Sequence, residues 1–242
     1  MFPPVRICSV TLALSLVASA QQAPSSTKPE VKVNILNVCT PSETEKEELT
    51  SALGRLPLKP KFSPDFEISR GRSTAGEPPV VLAETLPGKA VDTNEISNWV
   101  RVRREFPAES PFISVQYTLS TNGRGAVETL VFRARDPKDM LQVSLEAKAT
   151  AADPTALLKT DTPTDRIRLE RFGKSSVALA RCPTADQTAY ESVFRDGSAV
   201  LARYRNALGV RQIVPGDLRR LGVLQSTTSP GASKPKTGPK TE

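Results

Sequence analysis

Of the side chains that do covalent or acid–base chemistry, histidine is missing from this sequence altogether. Without imidazole there is no Ser-His-Asp or Cys-His catalysis, no histidine-ligated zinc, no axial histidine for haem and no histidine pH switch. The cysteines are Cys8, Cys39 and Cys182. Cys8 falls in an apolar run near the N-terminus. Cys39 and Cys182 have no C-x-x-C partner, so neither carries the surroundings of a reactive thiol. In an oxidising compartment such a pair reads as one structural disulfide. Closing so long a loop is worth at most about 5 kcal/mol in the loop-entropy picture.

The carboxylates offer little more. Glu43, Glu45, Glu47 and Glu48 are crowded, but they lack the order of a calcium loop and fit a helix start. Glu95, Glu105 and Glu109 lie near an irregular stretch. A carboxylate pair there is the one route to a hydrolase without histidine. Their spacing does not set them apart from surface charges. Gly173-Lys174-Ser175 ends like a phosphate-binding loop, but Arg168 stands where the first glycine is needed, and the residues that follow have a strand pattern. No catalytic set, metal site or cofactor site is expected.

Arginine shows the clearest bias. Arg101 and Arg103 alternate with Val100 and Val102, Arg133 and Arg135 flank Ala134 beyond Phe132, and Arg166 and Arg168 flank Ile167. Period-two logic puts all six on one outward sheet face, together with Trp99, Ser114, Gln116, Thr118, Thr129, Gln142, Ser144, Glu146, Lys148 and Glu170. Such a face is either a solvated surface that resists aggregation or a docking surface for an acidic protein or polymer. The net charge of +7 includes Arg6 and three lysines of the C-terminal tail, so the body is too mildly basic to imply nucleic acid.

The elements that must hold these residues can be read along the chain. Val31–Val38 alternates as a strand. Ser42 with Glu45 is a capping-box pattern, opening a helix whose apolar side is Leu49, Ala52, Leu53 and Leu56. Residues 57–95 are proline-rich and irregular, with short strands possible in Phe62–Arg70 and Val80–Leu82. Asn98–Phe106, Phe112–Ser120, Ala126–Arg135 and Met140–Ala149 read as strands, and Asn122-Gly123 suits a hairpin turn. Asp153 caps a short helix with Pro154 in its first turn. Arg166–Phe172 and Ser175–Arg181 form a second hairpin. Cys182-Pro183-Thr184 then opens a long C-terminal helix to Leu208. Its apolar side is Tyr190, Val193, Phe194, Val200, Leu201, Tyr204 and Leu208, and Gly197 falls in phase with it, allowing close approach to the sheet. The alternative is a break at Asp196-Gly197-Ser198. Asp217–Leu221 adds one last turn.

This order predicts an α+β fold: a mainly antiparallel sheet of six to seven strands with helices on one face. The inward side chains are Val100, Val102, Ile113, Val115, Tyr117, Leu119, Leu130, Phe132, Leu141, Val143, Leu145, Ile167, Leu169, Val177 and Leu179. A Cys39–Cys182 bond between neighbouring strands would pair Val31–Val38 with Ser175–Arg181, whereas a bond across two layers would not.

The ends place the protein. Arg6, the apolar run Ile7–Ala18 and the small-x-small site Ala18-Ser19-Ala20 have the three parts of a secretory signal over residues 1–20. The run is short of the ~20 residues that span a bilayer, and no later segment is apolar enough to do so. Residues 21–30 form a polar leader, 31–224 a single domain, and 225–242 a disordered Ser/Thr/Pro/Lys-rich tail. The expectation is an exported soluble protein, periplasmic or extracellular. Its leading role is non-enzymatic binding or support of another macromolecule. A histidine-free hydrolase and a small-ligand carrier with an apolar pocket are the alternatives.

Overall fold

Alternation of branched or aromatic residues with polar ones favours extended chain, and among the described residues it produces seven strands in one sheet. The computed structural model describes residues 39–74, 96–122, 125–136, 141–150, 153–159, 162–171, 177–184 and 186–224, all within one compact unit, Val31–Glu242. The expected signal, leader, Val31–Val38 strand, Val80–Leu82 strand and C-terminal tail lie outside the described residues.

Helix α1 (Glu43–Gly54) is followed by β1 (Phe66–Thr74), β2 (Ile96–Glu105), β3 (Phe112–Asn122), β4 (Gly125–Ala134) and β5 (Leu141–Ala149). A 3-10 turn (Pro154–Leu158) leads to β6 (Arg166–Arg171) and β7 (Val177–Ala180). A second 3-10 turn (Thr188–Tyr190) precedes α2 (Glu191–Ala207) and α3 (Val210–Arg220). The strands lie in the sheet in chain order, each antiparallel to its neighbours.

The local signals act as their chemistry requires. Ser42 caps α1, with its side chain accepting from the Glu45 amide while the Glu45 carboxylate accepts from the Ser42 amide. Leu49, Ala52, Leu53 and Leu56 are buried. Asn122 Oδ1 accepts from the Gly125 amide at 3.0 Å and closes the β3–β4 hairpin. Asp153 caps the first 3-10 turn through the Thr155 amide. Gly197 lies within an unbroken α2. A Cβ there would stand 2.7 Å from Ile167 Cδ1, so the missing side chain lets the helix touch β6.

Four expectations need correction. β1 is nine residues long and lies wholly within the stretch read as irregular, running past the short strand thought possible in Phe62–Arg70. The helix expected from Thr184 starts at Glu191, after a 3-10 turn whose Thr188 amide is capped by Asp186. Beyond it Gly209, with a left-handed φ of 67°, separates α2 from a full α3 rather than a single turn. Pro215 lies inside α3, where it removes one backbone donor. Val210, Val214 and Leu218, one turn apart and all buried, hold the helix together in spite of it. Finally, the β3–β4 register shifts between Phe112 and Ser114. Phe112 therefore takes the buried place expected for Ile113, which is half-buried. The other inward residues are buried as expected.

Candidate functional site

The disulfide is the simplest feature to place. Cys39 lies just before the α1 cap and Cys182 just after β7. They are bonded with Cα atoms 5.6 Å apart across 143 positions of sequence, a separation that suits a disulfide. The Tyr190 hydroxyl donates to the Pro41 carbonyl nearby. The start of α1 is thus tied to the approach of α2 by one covalent and one hydrogen bond.

On the sheet face that carries Trp99, register places Glu67 beside Arg103, Ser69 beside Arg101 and Gly71 beside Trp99. A Cβ on Gly71 would meet the Trp99 indole at 2.7 Å, so the ring lies flat against the glycine of this edge strand. A bare glycine in an edge strand is a weak point, and a cross-strand aromatic covers it. The Arg101 guanidinium stacks over the same indole, 5.0 Å from its centroid. Arg103 reaches Glu105 at 2.7 Å and Glu67 at 3.9 Å.

The six arginines expected on an open face divide into three groups. Arg101 and Arg103 are half-buried, and Arg133 is exposed. Arg135 is exposed but committed to its own fold, donating to the carbonyls of Ser110, Pro107 and Phe112 and so clasping the β2–β3 loop. Arg166 and Arg168 are only 5% and 3% exposed. Arg166 lies 4.0 Å from Glu146, and Arg168 bonds Glu170 at 3.2 Å. Ser114, Thr118, Thr129, Ser144 and Glu146, also expected to face water, are buried. Alternation assigns a side chain to a face and says nothing about whether water reaches it. Short Ser and Thr side chains sink between long neighbours, and arginines lie down along carboxylates.

The most concentrated charge lies where no site was expected. Glu128 follows the phase of Leu130 and Phe132 and so points inward. Arg205 is in phase with Leu201 and Leu208 on α2. Both are fully buried. Arg205 Nε and Nη2 donate to the two Glu128 oxygens at 2.6 and 2.7 Å, and Nη1 donates to the Lys159 carbonyl at 2.6 Å. The planar guanidinium matches the carboxylate fork, as a lysine could not. Burial pushes the Glu128 carboxyl upward, and the Arg205 guanidinium opposes that shift. Tyr117 is fully buried on β3. Burial and the charge of Glu128 keep its phenol well above the usual value. Tyr204, beside Arg205, packs edge-on to Phe132 at 4.6 Å. The signal for this clamp was present in the sequence, as an acid in the phase of a core strand and a base in the phase of an apolar helix stripe.

Each oxygen of Glu128 accepts from Arg205, and neither residue of the clamp has exposed surface. Of the carboxylates considered for acid–base work, Glu105 is engaged by Arg103, Glu109 is exposed on a turn, and Glu95 lies outside the described residues. Among the described residues no group of three Cys, Asp or Glu side chains could hold a metal ion, and no helix is long and apolar enough to cross a membrane. The chain matches no protein-family model, no curated protein and no solved structure.

Proposed function

We propose that the chain is an exported protein, periplasmic or extracellular, that does no chemistry of its own and presents a sheet face to an acidic protein or polymer. The observation that carries this reading is the placement of Arg101, Arg103 and Arg133 on one face of β2 and β4, with the short or amide side chains of β3 between them. Register aligns Arg101 with Thr118 and Thr129, Arg103 with Gln116, and Ser114 with Arg133. The Arg101 and Arg133 guanidinia flank a floor of buried Ser and Thr with half-buried Gln116, and Arg103, shared with Glu105 and Glu67, is where an incoming carboxylate would compete for a guanidinium. The helices cover the opposite face in this reading. Support comes from the contacts of Gly197 with Ile167, Tyr204 with Phe132, Arg205 with Glu128 and Asp217 with Arg70, each to an inward-phased position. The Cys39–Cys182 bond and the signal pattern of residues 1–20 support export.

The test is binding to immobilised poly-glutamate, with the protein purified from its native host. Replacing Arg101, Arg103 and Arg133 together by Ser should leave the fold intact and weaken binding, mainly through association rate and salt dependence. Binding indifferent to both salt and the triple substitution would remove the docking role and leave a purely structural face. A mature N-terminus at Gln21 by mass spectrometry is the outcome expected for export.

A further inference from the structure

The link between α1 and β1 carries a second surface, independent of the arginine face. Residues Arg55 to Phe62 read RLPLKPKF. Three anchors fix the link. Leu56 is buried. The Pro57 carbonyl accepts the Tyr204 hydroxyl at 3.0 Å. Phe62 packs against Phe106 with ring centroids 5.4 Å apart and lies under the Arg104 guanidinium, 5.1 Å from its ring. Between the anchors the chain turns its side chains outward. Leu58 is 71% exposed, the most exposed large apolar residue among those described. Lys59 and Lys61 on either side of Pro60 are exposed. No ion pair engages either lysine among the described residues.

A single exposed leucine on a flexible loop needs no explanation. Here the leucine is held out by a link pinned at both ends and stiffened by Pro57 and Pro60, whose φ angles are fixed by their rings. It stands beside two lysines with no carboxylate partner. The surface that satisfies both features is negative at its boundary and apolar beneath it. We propose that Leu58, Lys59 and Lys61 form a docking tip for an anionic lipid bilayer. The ammonium groups meet lipid phosphates at headgroup depth, and the leucine side chain enters the acyl boundary. An acidic protein would satisfy the lysines but would need an apolar pocket placed for Leu58, whereas an anionic bilayer offers charge above apolar depth at every point of its surface. One leucine and a few cations support only weak, reversible, salt-sensitive association, which suits a peripheral protein rather than an anchored one.

Co-sedimentation with vesicles tests this, using the full protein as its native host makes it. The probes are vesicles of phosphatidylcholine alone and of phosphatidylcholine mixed with phosphatidylglycerol. The protein should bind only the anionic vesicles, and less as salt rises. Lys59→Ser with Lys61→Ser should weaken binding roughly fivefold per lysine. Leu58→Ser should weaken it about tenfold. All three positions are exposed, so the fold should be unchanged. Equal binding to both vesicle types would overturn the proposal. So would variants that bind like the parent, which would assign any binding to other lysines of the chain. If the lysine variant loses binding and Leu58→Ser does not, the tip meets lipid phosphates by charge alone and the insertion of Leu58 is overturned.

Discussion

Glu128 with Arg205, and Glu67 and Glu105 with Arg103, are the same chemical pair set on opposite faces of one sheet. The first has no exposed surface, two hydrogen bonds below 2.8 Å between the charged groups and a third to a backbone carbonyl. The second is between 36% and 56% exposed, with one short contact and one at 3.9 Å. Burial removes the water that would otherwise solvate each charge, so inside the protein each member depends on the other. Outside, water and salt solvate a widowed partner at little loss. The inner pair should therefore be costly to break and inexpensive to delete, and the outer pair should be nearly neutral to both.

The sharpest way to break this comparison is to remove one member of the inner pair. Arg205→Met should lower unfolding free energy by about 3–5 kcal/mol, because it strands a buried carboxylate. Glu128→Leu together with Arg205→Met should recover most of that loss, and could exceed the parent by about 1–4 kcal/mol. Urea denaturation of the three proteins measures both effects. A single substitution costing well under 1 kcal/mol would mean that water reaches the pair in solution.

A smaller effect tests whether the clamp depends on how closely α2 sits on the sheet. Gly197 touches Ile167 on β6, with Leu145 of β5 just beyond, while Arg205 reaches β4 from eight residues further along. Gly197→Val should cost about 1–3 kcal/mol by overpacking. Its effect should add to that of Arg205→Met within about 0.5 kcal/mol, since the two sites share no partner and stand ~12 Å apart along the helix. Strong coupling in a double-mutant cycle would mean that α2 shifts as a rigid body and that the clamp is set by helix position rather than by its own bonds.

The two regions also differ in how far the sequence discloses them. Strands β2 to β7 were legible because branched and aromatic residues repeat at period two, and Asn122 and Ser42 mark a turn and a cap through chemistry that works locally. The disulfide followed from cysteine arithmetic. β1 was underestimated because Arg70, Gly71 and Arg72 lack strand formers; it is held by pairing along β2 and by Trp99 lying over Gly71, both distant in sequence. Of α3 only the end, Asp217–Leu221, reads as helical in the sequence, because Pro215-Gly216 is a local break signal, overridden by burial of Val210, Val214 and Leu218. The exposed face was overestimated at Arg166 and Arg168, since alternation carries no information about solvent. The inner clamp needed two phases to be compared, one in β4 and one in α2, and no single segment announces it.

The smallest expected effect sharpens the comparison from the outer side. Arg103→Ser removes the partner of both Glu67 and Glu105, yet these side chains are 56% and 42% exposed and can be rehydrated where they stand. The change in stability should be well under 1 kcal/mol. Its salt dependence is the more informative measurement. At physiological ionic strength the screening length is about 8 Å, so the outer contacts are already weakened there, and the difference between Arg103→Ser and parent should shrink further as salt is raised. The loss caused by Arg205→Met should hold steady over the same range, because mobile ions do not enter a site with no exposed surface. If both losses fall together with salt, the inner pair is not sealed and the distinction between the two faces collapses. If neither falls, Arg103 acts through the packing of its aliphatic stem over the sheet rather than through its charge.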